Sequence, residues 1–194
     1  MFDDEVRRAG GFRQLFERWR SEGKNVADEV DRYFAEETGL YRILGFRITE
    51  VGDGYASMEF PFSHMASGRR GRPHVHGGVV MLALDTVLGL AVMSVNTSIE
   101  QSTLELKVNF VKPLLKEPFK VTGRVVHIGK STAVVEGEVL DSVGDICARA
   151  LGTWFIFRDI ITKRVQRRSN RWKSLSATTS QPLRSSDRRR VRGQ

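Results

Sequence analysis

Apolar and polar residues follow one of two periods along most of this chain, and one long stretch follows neither. From Gly77 to Val95 the residues are Gly, Ala, Val, Leu, Met, Thr and Ser, with Asp85 the only ionisable one. A helix of that composition, opened by His76-Gly77-Gly78, is apolar nearly all round and is expected to be buried. Ahead of it, Phe12, Leu15, Phe16 and Trp19 fall at helical spacing. Val26, Val30 and Phe34, with Tyr33 adjoining, mark a second helix over Asn25–Glu37 that Thr38-Gly39 ends. Both stripes read as packing faces. A strand over Phe46–Val51, an Asp53-Gly54 hairpin turn and a return strand over Tyr55–Phe62 follow. Residues Ser63–Pro73 read as a basic, glycine-containing loop leading to His76.

Beyond the apolar stretch the period is two. In Thr103–Val111, Leu104, Leu106, Val108 and Phe110 take one face and Thr103, Glu105, Lys107 and Asn109 the other. Phe119–Ile128, a turn at Gly129-Lys130, Ser131–Leu140, a turn at Asp141–Gly144 and Asp145–Phe157 complete the set. The order is strand, strand, helix, four strands. That order predicts an α+β fold in which a curved antiparallel sheet wraps around a central apolar helix.

Nineteen residues from Gly77 to Val95 nearly match a bilayer in length. A charge near the middle costs roughly 2.5–3.5 kcal/mol on insertion scales, so a buried core helix is the better reading. Charge adds a domain boundary. Thr162–Gln194 holds eleven Lys/Arg and one acid, a net of +10, whereas the other 161 residues hold twenty bases and twenty-two acids, a net of −2. We therefore divide the chain into an N-terminal helical segment (1–38), a folded body (39–161) and a basic tail (162–194) expected to be disordered. The tail, with Trp172 inside RRSNRWKS and then DRRRVR, suits a weak anionic partner such as nucleic acid or a membrane surface. A solvated terminus is the simpler reading of it. One cysteine, Cys147, excludes an internal disulfide, and the acidic opening MFDDEVRR lacks a secretory h-region, so a cytoplasmic location is expected.

Asp85 is the residue to explain, because an ionised carboxylate in an apolar helix is costly unless something accepts it. A capped or paired structural aspartate is one explanation and a catalytic one is the other. The two glycines after His76 leave backbone N–H groups bare at the helix start, where the dipole favours developing negative charge.

The strings HGGVVMLALDTVLGLA, STLELKVNFVKP and VLDSVGDICARALGTWFIF, in this order, resemble the PaaI-type acyl-CoA thioesterases of the hotdog fold over about residues 39–157. The resemblance implies a dimer or tetramer that hydrolyses an acyl-CoA, with the CoA thioester as substrate and neither cofactor nor metal. It implies Asp85 as general base or nucleophile, the Gly77 N–H as donor to the thioester carbonyl, and Thr103 as holder of the water. It further implies that His76 and Gly78 shape the substrate-binding turn and that Gly129 and Lys130 meet the nucleotide or pantetheine part of CoA. The site would lie between two copies, Asp85 and Thr103 of one facing Gly77 of the other.

Members of that family often carry an Asn six residues before the HGG histidine and a Gly three before it. Arg70 and Pro73 stand there in this chain. Losing such a carbonyl donor costs roughly a hundredfold or more in rate. Three other readings stay open: a hotdog dehydratase or hydratase, a non-catalytic acyl-CoA-binding protein, and an anion binder working through the tail.

Overall fold

The computed structural model describes residues 2–37, 39–64, 67–69 and 72–157; the proposed tail and Arg70 lie outside the described residues. Helices α1 (Phe2–Ala9), α2 (Phe12–Ser21), α3 (Val26–Glu37) and α4 (Gly39–Leu44) come first. Strands β1 (Arg47–Gly52) and β2 (Tyr55–Phe60), a short hairpin of β3 (Ser67–Arg69) and β4 (Arg72–Val75), and helix α5 (Gly77–Met93) follow. Strands β5 (Gln101–Phe110), β6 (Phe119–Ile128), β7 (Thr132–Leu140) and β8 (Ile146–Ile156) end the body. Six strands form one antiparallel sheet in the order β1-β2-β6-β7-β8-β5, with β1 and β2, which precede α5, at one end and β5, which follows it, at the other.

Helix α5 lies on this sheet because a row of small residues lets it in. Ala56, Gly123, Gly137 and Ala150 are cross-strand neighbours on β2, β6, β7 and β8. A Cβ at Gly123 or at Gly137 would stand 2.8 Å from the Leu88 Cδ2 atom. Leu84, Val87, Leu88 and Ala91 are fully buried. The Asp53-Gly54 turn, with Gly54 at φ +77°, is tied to the end of α5 through the Ser94 hydroxyl, which accepts from the Gly54 N–H at 2.7 Å.

The N-terminal helices share one hydrophobic cluster with the sheet and α5. The first N–H groups of α2, which a helix cannot satisfy internally, donate to loop carbonyls: Phe12 to Ser98 at 3.1 Å and Arg13 to Asn96 at 2.9 Å. Edge strand β1 is blunted by α3, whose Asp31 carboxylate accepts from the Ile48 N–H at 2.7 Å. The opposite edge, β5, carries exposed Leu104 and Phe110.

Two expectations need correction. Residues 63–73 are not all loop, since β3 and β4 form a hairpin there, bent by a register shift between Ser67 and Arg69. The alternation in β5 is broken by a bulge: Thr103 pairs with Trp154 and Glu105 with Thr153, leaving Leu104 unpaired. The extra residue flips the phase, so Thr103 shares the helix-side face with Leu106 and Val108 instead of opposing them.

Candidate active site

The sequence places Asp85 among apolar residues on every side, but α5 is not covered all round. One stripe of it lines a pocket: half-buried Leu82, Asp85 and Met93 with buried Thr86, Gly89 and Leu90, at three- and four-residue steps. This stripe floors a trough of about 360 Å³. The start of β5 and Trp154 form one wall, and Phe34 of α3 and Tyr41 of α4 form the other. Asp85 is therefore half-buried and faces the trough.

The bulge in β5 brings Thr103 to the same place. Its hydroxyl donates to the Asp85 Oδ1 atom at 2.9 Å. Oδ2 has no hydrogen-bond partner among the described residues. One oxygen is held and the other is left to act on a ligand or a water. Across the trough, Tyr41 stacks on Phe34 with ring centroids 4.9 Å apart and meets Phe46 edge-on at 5.4 Å. Its hydroxyl lies 2.5 Å from the Thr86 Oγ1 atom. Because the Thr86 hydroxyl gives its proton to the Leu82 carbonyl at 2.9 Å, Tyr41 is the donor of that contact. Burial, with the Asp85 charge adding to it, pushes the Tyr41 phenol above its ordinary value and keeps it neutral.

His76 is the N-cap of α5, and its Nδ1 accepts from the Gly78 N–H at 2.9 Å. The imidazole proton therefore sits on Nε2. The paired glycines do not leave both amides bare: Gly78 is satisfied by His76, and only the Gly77 N–H has no partner among the described residues. Gly77 lines a separate groove of about 390 Å³ with His74, Phe110 and Leu114 among others. The Phe110 ring closes over Gly77, and a Cβ there would stand 3.2 Å from Phe110 Cζ.

Asp85 and Gly77 are eight residues apart on one helix, about 12 Å at the α-helical rise. Of the expected site residues the fold thus joins Asp85 with Thr103 and His76 with Gly78, and keeps Gly77 apart from Asp85. Gly129 and Lys130 occupy the β6–β7 turn and line neither groove. Phe34, Tyr41 and Gly89 were not singled out from the sequence, because nothing in a helical stripe distinguishes a pocket wall from a core face. A third depression, on the outer face of the sheet, is lined by Arg124, Glu136, Glu138 and Arg149. Their charges pair with one another, Arg124 with Glu136 at 2.5 Å and Arg149 with Glu138 at 3.6 Å. Among the described residues no cluster of three or more His, Cys, Asp or Glu could hold a metal ion, and no helix is long and apolar enough to cross a membrane.

A curved antiparallel sheet wrapped on one long helix is the hotdog architecture. Residues 73–148 match the family model of the thioesterase superfamily. A protein of Saccharolobus solfataricus named as a candidate esterase is 35% identical over 129 residues, 66% of this chain and 91% of that one. The chain belongs to the thioesterase superfamily. It is also 23% identical over 141 residues to the medium/long-chain acyl-CoA thioesterase YigI of Escherichia coli K12, covering 66% of this chain and 91% of that protein. The solved structure of the E. coli PaaI protein, from the phenylacetic acid degradation operon, superposes with a TM-score of 0.59 at 20% identity, covering 68% of this chain and 94% of PaaI.

Proposed function

We propose that the protein hydrolyses acyl-CoA thioesters, with Asp85 as the base that activates water. The observation that carries this reading is the Asp85–Thr103 pair at the side of an apolar trough. The Thr103 hydroxyl fixes one carboxylate oxygen and leaves the other to take a proton from water. That water attacks the thioester carbonyl carbon, the oxyanion is held by a backbone N–H, and collapse breaks the C–S bond. The thiolate of CoA leaves and takes up the proton, and the free acid remains.

The Gly77 N–H is the oxyanion donor in this scheme. A gap of about 12 Å along one rigid helix excludes both groups of one copy from a single carbonyl. The donor therefore comes from a second copy, and the active form is at least a dimer. The exposed edge of β5, with Leu104 and Phe110 on it, is the surface assigned to that pairing. The Gly129-Lys130 turn is assigned to the nucleotide end of CoA, where an ammonium group suits phosphate.

Complementation between copies tests the scheme. Gly77→Pro removes the N–H in question at the first helical position, where proline is well tolerated. Its Cβ also meets Phe110 Cζ at 3.2 Å, so Gly77→Ala, which adds that Cβ and keeps the N–H, is the control expected to stay active. The residue before it, His76, already has φ −64° and ψ 135°, which proline accepts. Asp85→Asn and Gly77→Pro proteins are each expected to be inactive on their own. After subunit exchange, a mixed dimer keeps one intact site, so thiol release is expected to return to about a quarter of wild type in an equal mixture. A mixture that stays inactive while mass spectrometry shows mixed dimers would refute the shared site.

A further inference from the structure

Gly89 stands one turn beyond Asp85 on the trough floor, and neither packing nor backbone conformation asks for a glycine there. Gly123, Gly137 and Gly152 are crowded: a Cβ at any of them would approach another heavy atom to 2.8 Å or less. At Gly89 the nearest atoms would be Trp154 Nε1 at 3.5 Å and Gln101 Nε2 at 3.8 Å, ordinary contact distances. Its φ is not positive. A glycine inside a helix costs stability relative to alanine, so this position gives up stability for room. The room lies in the trough, between the Phe34–Tyr41 stack and Trp154.

Resting on the acyl-CoA reading above, we infer that Gly89 is the gate that sets acyl length, and that the substrates are medium-chain acyl groups lying along α5 past it. The trough floor runs from Asp85 to Met93, about 12 Å at the helical rise. Carbon–carbon bonds of about 1.5 Å advance an extended chain by roughly 1.25 Å per carbon, so that length takes about eight to ten carbons. Gly89 is about 6 Å from Asp85 on the same scale. A side chain there stands in the way from roughly the fifth carbon onward. Leu90 and Met93 beyond it offer apolar contact to the chain end. Phe34 and Tyr41 precede the residues matched to the family model. The N-terminal helices of this chain therefore build one wall of the acyl site.

The test is the chain-length profile of the full-length protein and of Gly89→Ala and Gly89→Leu, read as kcat/KM on straight acyl-CoAs of four to sixteen carbons. Wild type is expected to peak near eight to ten carbons. In Gly89→Leu the ratio of octanoyl- to butanoyl-CoA is expected to fall about tenfold or more, with Gly89→Ala between the two. Gly89→Ala is expected to melt no lower than wild type, and light scattering is expected to show an unchanged assembly for both variants. A folded Gly89→Leu protein with the wild-type profile overturns the inference. So does one that loses butanoyl- and octanoyl-CoA equally, with or without loss of assembly. Calorimetric titration with non-hydrolysable S-alkyl-CoA thioethers separates this from the proposed hydrolysis. If wild type cleaves no acyl-CoA, affinity that grows with alkyl length and is cut back by Gly89→Leu retains the gate and retires the hydrolysis. Affinity independent of alkyl length overturns the gate.

Discussion

Gly137→Ala is expected to be among the most destabilising single-methyl additions in the protein. The new Cβ would lie 2.5 Å from the Thr122 carbonyl oxygen and 2.8 Å from the Leu88 Cδ2 atom. Carbon atoms meet best at about 3.5–4.0 Å, so the methyl overlaps its neighbours by roughly 0.7–1 Å on two sides. One of those neighbours is backbone, held in the ladder between β6 and β7, and the other is a fully buried leucine on α5. Overpacking of this kind costs about 1–3 kcal/mol, and the backbone contact places Gly137→Ala in the upper half of that range. For a body of this size that is a fall in Tm of roughly 4–12 °C. Gly123→Ala meets Leu88 Cδ2 at 2.8 Å and Val87 Cγ1 at 3.2 Å, which are side-chain atoms able to move. Its cost should be smaller, and should shrink further in a Leu88→Ala background, whereas that of Gly137→Ala should persist. Thermal and urea melts of the single and double variants measure both couplings. A Gly137→Ala protein melting within a degree of wild type would refute the close seating of α5 on the sheet.

Thr103→Val keeps the shape and deletes the donor to Asp85. Because Thr103 is exposed in the single chain, the loss is placed at the low end for a hydrogen bond to a charged group, about a tenfold fall in kcat with little change in KM. Steady-state kinetics on octanoyl-CoA check it, and a fall confined to KM would contradict the role. Tyr41 gives the pH prediction. Burial raises its pKa above the ordinary phenol value of about 10, so its contribution to stability is complete below pH 10 and is lost as pH rises through the higher folded value. Urea melts from pH 9 upward are expected to show falling stability for wild type and a shallower fall for Tyr41→Phe. Equal slopes would contradict the buried, neutral phenol.

The sheet, the central helix and their order were legible because each follows a simple period that burial on one face imposes. Asp85 was legible as the one charge in an apolar run. Three features were not. The bulge at Leu104 leaves no mark on a strand whose residues all suit a strand, yet it turns Thr103 toward Asp85. The trough depends on which side of α5 the sheet leaves uncovered, and a helix apolar on every side gives no sign of that. The wall from Phe34 and Tyr41 joins elements more than forty residues ahead of Asp85, a contact set by the docking of α3 and α4 rather than by local pattern. The His76 cap is a matter of side-chain aim: the same HGG string suits two bare amides as well as the single one left by the Nδ1 contact.

Thiol release from octanoyl-CoA by wild type and by Asp85→Asn measures what the Asp85 carboxylate does for the proposed hydrolysis. The amide keeps the size of the side chain and can still pair with Thr103, but it cannot take a proton from water. Wild type is expected to release thiol, and the variant, folded and assembled as wild type, to lose about 10²–10⁴ in kcat with KM little changed. A folded Asp85→Asn protein that releases thiol at the wild-type rate would contradict the account.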